Sequence, residues 1–192
     1  IVEREKAAGA VMIGKTNTPE FGAGAQTFNA VFGVTRNPYD LSLTCGGSSG
    51  GSAVALACGM SALANGSDFG GSLRAPAAWC NVAGFRPSPG RVPSHPTKLP
   101  WNTLSVHGPM ARTVADLALY LCAIAGPDRR APLSIEQPAS LFAAPLARDF
   151  GATRLAWSAD LGYLPMDPEI VEVCAAAIPV FEHLGCKVEH DA

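Results

Sequence analysis

Apolar positions recur with two different periods along this chain, and the alternation between them predicts a mixed α/β architecture. Val2 and Ala7 mark a helical tail over residues 1–10, and Ala10-Val11-Met12-Ile13-Gly14 reads as a short apolar strand after it. A domain rarely opens halfway through a helix–strand unit, so this start predicts a truncation. From about Asn17 to Cys45, Gly, Asn, Thr and Pro interrupt every period. So long a segment without regular structure is usually functional or disordered. The run Ser52-Ala53-Val54-Ala55-Leu56-Ala57-Cys58 predicts a short, tightly packed helix closed by Gly59. Ser61 to Ala64 then reads as a buried strand leading into Asn65-Gly66-Ser67-Asp68-Phe69-Gly70-Gly71-Ser72, with a second short helix from Arg74 to Cys80.

Two later helices carry clearer signals. Thr113 can cap a helix whose apolar positions are Val114, Leu117, Ala118, Leu121 and Ala125, and Gly126-Pro127 ends it. Asp167-Pro168 is a cap followed by proline at the first helical position. Ile170, Val173, Cys174, Ala177, Ile178 and Phe181 would form one face before Gly185, and Pro179 predicts a kink or a shortening within it. Arg154-Leu155-Ala156-Trp157 and Lys187-Val188-Glu189 read as strands on either side. Together these predict a mixed, mostly buried sheet flanked by helices. The expected organisation is a single partial domain over residues 1–192, truncated at both ends.

Composition narrows the function classes. The chain has 192 residues, 48% hydrophobic and 16% charged, which is within the range of one globular domain. With 14 basic and 16 acidic residues, it has no electrostatic footprint for nucleic acid or an anionic membrane. No apolar run is long enough to cross a bilayer. The 6 cysteines form no Cys-x-x-Cys pair and no zinc-type cluster with histidine. They are expected to be mostly small buried residues in a reducing, cytoplasmic compartment, and neither metal nor cofactor is expected. The chain begins with Ile1, which leaves room for an upstream targeting segment.

Chemistry concentrates in two motifs. Gly46-Gly47-Ser48-Ser49-Gly50-Gly51-Ser52 places glycines on both sides of a serine pair, so the backbone can turn sharply and a substrate can approach closely. It lacks the Gly-Lys-Ser/Thr ending of a phosphate-binding loop. Alone, it is equally a flexible loop or a nucleophile elbow. The second motif is Asp68-Phe69-Gly70-Gly71-Ser72-Leu73-Arg74, in which two glycines precede a serine near a predicted helix start. Unpaired N–H groups at such a point can cradle a developing oxyanion.

Residues Gly46 to Pro93, including Gly84-Phe85-Arg86-Pro87 and Gly90-Arg91-Val92-Pro93, resemble the amidase signature family. The likeness extends more loosely from Lys15-Thr16-Asn17 through the stretch Gly108 to Asp116, and on to Leu164-Pro165 and the helix after Asp167. It implies hydrolysis of a carboxylic amide by a Ser–Ser–Lys mechanism. Ser72 would be the acylated nucleophile. Ser48, on a cis peptide bond, would link it to a lysine base. The N–H groups of Phe69, Gly70, Gly71 and Ser72 would form the oxyanion hole. Ser49 would orient the loop, and Asp68 and Arg74 would support it as an ion pair. The expected partner is a small-molecule amide, with neither membrane nor nucleic acid, and a homo-oligomer is compatible with this.

One departure from the family pattern matters. The resemblance puts the catalytic lysine upstream of Ile1, and Lys15 matches a different position, within Gly14-Lys15-Thr16-Asn17. The 192 residues alone are therefore expected to be inactive. Three alternatives stay open. One is the A subunit of a glutamine-dependent tRNA amidotransferase, although Leu99-Pro100-Trp101-Asn102-Thr103 looks more like stand-alone bacterial amidases. Another is an α/β-hydrolase using Gly46-Gly47-Ser48-Ser49-Gly50 as its elbow, with His107 or His190 in the triad. The last is a non-catalytic piece retained for packing or partner binding. His183 and His190 read as surface residues, and Trp79 and Trp101 as core.

Overall fold

The computed structural model describes residues 1–190 and places the two serine motifs around one small antiparallel sheet. Helix α1 is Val2–Ala7, shorter than the helical tail expected. The segment after it forms no strand: Val11 and Ile13 are 86% and 75% exposed, and nothing among the described residues pairs with them. An apolar run without a ladder partner has no sheet to enter, so local pattern alone misplaced it. The irregular segment contains only the two-residue hairpin β1 (Phe28–Asn29) and β2 (Gly33–Val34), a 3-10 turn over Glu20–Gly22 and an isolated bridge from Arg36 to Thr44.

Helix α2 (Gly50–Ala57) begins inside the first glycine–serine motif, two residues earlier than the apolar pattern suggested. Gly59 ends it as expected. Strand β3 (Leu63–Asp68) runs on through Asn65, Gly66 and Ser67, because every residue from Leu63 to Asp68 pairs with β5 (Val106–Ala111). Helix α3 (Arg74–Trp79) and strand β4 (Ala83–Gly84) complete the layer, and the strand order is β3-β5-β4. Leu56 from α2, Leu73 and Ala77 at α3, and Met110 from β5 are nearly or fully buried together with Cys45 and Cys80. Each large side chain in such a core contributes about 1.5–3 kcal/mol.

The opposite face carries helix α4 (Val114–Ile124), where Thr113 caps the first turn by accepting from the N–H of Asp116 at 3.1 Å. Its buried stripe is Leu117, Tyr120, Leu121 and Ile124, while Val114 is 60% exposed. The helical period was right and the stripe is rotated slightly. Glu5 ties α1 to this region, accepting from Asn65 Nδ2 at 3.0 Å and from the Tyr120 hydroxyl.

Contacts divide the chain into two units, Ile1–Ala144 and Pro145–Ala192. In the second, β6 (Arg154–Trp157) pairs in parallel with β7 (Lys187–His190). Parallel neighbours need a long crossover, here α5 (Pro168–Ala175) and α6 (Ile178–His183). Pro179 sits in the first turn of α6, which explains the break. Asp167 caps α5 through the N–H of Glu169 at 3.0 Å. The apolar face predicted for this stretch is largely uncovered: Ile170 and Val173 are 52% and 66% exposed. Parallel and antiparallel pairing therefore occur in separate small sheets rather than in one. No described helix is long and apolar enough to cross a membrane.

Candidate active site

The serine pair sits at the entry to α2. Ser49 is the residue before the helix, and Ser48 and Ser49 are only 7% and 5% exposed. Thr27, reached across the chain, fixes this turn from both sides: its hydroxyl donates to the Gly46 carbonyl at 2.7 Å and accepts from the Gly50 N–H at 3.1 Å. The Gly47–Ser48 peptide bond is cis, the isomer the resemblance implies. Gly51 is needed for close approach, since a Cβ there would lie 2.3 Å from the Asn17 carbonyl oxygen. The Thr16 and Ser52 hydroxyls meet at 2.9 Å beside it. Cys45 is fully buried, its Sγ 3.2 Å from the Thr35 carbonyl, and burial pushes its thiol pKa up. An inert thiol of that kind is a packing residue rather than a participant.

Ser49 joins the serine turn to the second motif and to the strand residue just before it. The Ser49 N–H donates to the Ser72 carbonyl at 3.3 Å, and the Ser49 hydroxyl bridges the N–H and carbonyl of Ser67, each at 3.2 Å. Ser49 thus orients the two loops on each other. Ser72 itself is half-buried, with Phe69 and Gly70 exposed just before it.

Asp68 organises the loop between. It is completely buried and accepts from the Gly71 N–H at 2.7 Å, the Leu73 N–H at 3.2 Å, and Arg74 Nε and Nη2 at 3.0 and 3.1 Å. Arg86 adds Nη1 to Oδ1 at 3.0 Å and also donates to the Asp68 carbonyl. Burial alone would raise the carboxyl's pKa. The hydrogen bonds from Arg74, Gly71 and Leu73 and the Arg74 charge outweigh it and hold the group well below the usual carboxylate range. Gly71 (φ +119), expected as one of four oxyanion donors, instead gives its N–H to Asp68, while the N–H groups of Phe69, Gly70 and Ser72 have no intramolecular partner among the described residues. Three free donors beside a serine hydroxyl can hold a developing negative oxygen.

Other expectations fall elsewhere. Trp79 and Trp101 are 47% and 71% exposed, so neither is core. Of the cysteines, only Cys45, Cys80 and Cys186 are buried, while Cys58 and Cys174 are exposed. Lys15 is exposed. His107 pairs in register with Ser67, and Val106 with Asp68. Successive strand residues face opposite sides, so His107 lies on the sheet face away from Asp68. Two cavities of about 540 and 310 Å³ both include His107 and neither includes Ser48 or Ser72. No strand leads into Ser48, as a hydrolase elbow requires. Thr27 and Arg86 carry no spacing signal that marks them for the site. Arg86 stands within Gly84-Phe85-Arg86-Pro87, and Thr27 within the irregular segment.

A family model described as Amidase matches residues 1–191. The sequence is 43% identical over 188 residues to an acylamidase of Rhodococcus erythropolis, covering 98% of this chain and 39% of that one. It is 41% identical, with the same coverage, to the A subunit of the glutamyl-tRNA(Gln) amidotransferase of Chromohalobacter salexigens. Among solved structures, it superposes on a bacterial aryl acylamidase of the amidase signature enzymes with a TM-score of 0.90 and 37% identity, covering 99% of this chain and 39% of that one. The chain thus spans about two fifths of the length of the relatives it matches.

Proposed function

The chain belongs to the Amidase family, and from that premise we propose that it carries the serine and oxyanion-binding half of an amide-hydrolysing site. Ser72 is the nucleophile and Ser48 the relay between it and a lysine base. The Ser72 oxygen attacks the amide carbonyl, and its proton passes through Ser48 to the base. The N–H groups of Phe69, Gly70 and Ser72 take the negative oxygen, with Gly71 completing the turn on Asp68. The amine or ammonia leaves with a proton, and water then cleaves the acyl-serine. The observation that carries this reading is the Ser49 N–H bond to the Ser72 carbonyl at 3.3 Å, which joins the serine turn to the loop with free donors.

Lys15 is exposed and makes no hydrogen bond to either serine, which supports taking the base from outside residues 1–192. The substrate is a small carboxylic amide, and neither metal nor cofactor enters the proposed steps. The second reading is the ammonia-producing chain of a tRNA-dependent amidotransferase, supported by the 41% identity to the A subunit of such an enzyme. Glutaminase activity together with copurifying partner chains would favour it.

Fluorophosphonate treatment, read by intact mass and peptide mapping, tests the assignment on this chain and on the longer polypeptide that carries it. Label on Ser72 in the longer polypeptide alone supports a base from outside these residues. Label on Ser72 in both places a base within them. Label on Ser48 or Ser49, or none in a folded longer polypeptide, removes Ser72 from its role.

A further inference from the structure

Arg86 lies outside both serine motifs, yet its contacts converge on the loop that bears Ser72. Phe85 just before it donates its N–H to the Pro109 carbonyl at 3.1 Å, and Pro87 just after it is buried. The backbone at Arg86 is therefore anchored against strand β5. From that anchor, the guanidinium reaches three acceptors. Nη1 meets both the carboxylate and the main-chain carbonyl of Asp68, and Nη2 donates to the Leu104 carbonyl at 2.9 Å. The side chain is only 23% exposed, against 58% for Arg74, which grips the same carboxylate through its side chain alone.

That difference in geometry separates the two arginines. Arg74 follows Ser72 in the chain and moves with it, so its bond to Asp68 closes a local ring. Arg86 comes from the segment just after β4 and holds Asp68 at its backbone as well as its carboxylate. The planar fork of arginine can serve all three acceptors from one fixed plane, which an ammonium cannot. Asp68 in turn sets the Gly71 and Leu73 N–H groups, and so decides which way the Phe69, Gly70 and Ser72 donors point. We propose that Arg86 is a positioning residue of the serine site, referencing the oxyanion loop to the β4–β5 frame and to the segment ending at Leu104. The proposal rests on the Ser72 reading above.

The test uses the complete polypeptide that carries this chain, as wild type, R86M and R86K. The readouts are the rate of fluorophosphonate labelling at Ser72, amide hydrogen exchange over residues 69–73 and thermal unfolding. R86M is expected to slow labelling by about tenfold or more, with faster exchange confined to residues 69–73 and a near wild-type melting temperature. R86K, which keeps the charge but not the fork, is expected to recover labelling only partly. Wild-type labelling and exchange in folded R86M overturn the proposal. A loss of labelling that only tracks global unfolding does so too. Should R86M not fold, R86K decides: slower labelling in a folded variant supports the proposal, and wild-type labelling overturns it. If the wild type itself is not labelled at Ser72, the catalytic reading fails separately. The exchange data then decide whether Arg86 holds the loop.

Discussion

Asp68 and Asp128 are both aspartates gripped by two arginines, yet they do different work. Asp68 is fully buried and its partners Arg74 and Arg86 enclose it, while two loop N–H groups bind the same carboxylate. Asp128 follows α4 with its side chain 12% exposed, and its main partner Arg130 is open to solvent. There it binds Arg130 at 2.9 Å, approaches Arg4 at 3.9 Å and accepts the Arg130 N–H at 3.0 Å. Arg130 is half exposed and also reaches Glu3. In Asp128, too, the carboxyl is held below the usual range, first by its hydrogen bonds from Arg130. Depressed acidity is therefore a poor guide to importance. Water reaches Arg130 and can replace part of what it gives Asp128, whereas Asp68 has no access to water and depends on its protein partners.

Removing the buried charge is the strongest way to break this contrast. D68N should destabilise the Ile1–Ala144 unit by about 3–5 kcal/mol, because two arginines and two N–H groups lose their anionic acceptor. Urea unfolding would measure it, and Ser72 labelling should fall with it. A cost equal to that of the Asp128 variant below would mean that burial is not what distinguishes the two sites.

Acid sharpens the comparison. The folded-state pKa of Asp68 is depressed, so its stabilising contribution is present above the unfolded pKa of about 3.9. It is lost as the pH falls from there toward the folded value. Stability of the wild type should therefore drop more steeply below about pH 4 than that of D68N, which lacks the group. Parallel curves for the two proteins would show that other carboxylates dominate acid unfolding.

The smallest effect is expected at Asp128, whose main partner Arg130 is half exposed. D128N should cost at most about 1 kcal/mol, and the difference should shrink as salt is raised. A large, salt-independent loss in thermal melts would instead indicate that Asp128 anchors the turn after α4 structurally.

The two regions also differ in how readable they were. Ser48, Ser49, Asp68, Ser72 and Arg74 stand inside short motifs whose glycines and serines are unusual enough to recognise locally. The helices capped by Thr113 and Asp167, and the break at Pro179, follow from rules spanning a single turn. Thr27 and Arg86 bind groups many residues away; Thr27 stands in an unmarked stretch, and Gly84-Phe85-Arg86-Pro87 marks the family without showing that its arginine reaches Asp68. The apolar run Val11-Met12-Ile13 shows the converse error. Its pattern is strand-like, but strand formation depends on a partner that no local pattern can supply.

By itself the sequence determined the family and the helix ends set at Thr113, Asp167 and Pro179, and it singled out Ser48 and Ser72 as candidates. Those properties depend on neighbours along the chain or on motifs with little freedom to vary. Only the tertiary structure decided that Asp68 turns the Gly71 N–H inward and leaves three donors free, that Ser49 bonds the two loops together, and that His107 faces away from them. The Ser49 bonds and the facing of His107 depend on which elements lie side by side and in what register, whereas the Asp68–Gly71 bond is a local turn whose carboxylate is held by Arg86 from a distant segment. A shift of one residue along β3 would reverse every facing.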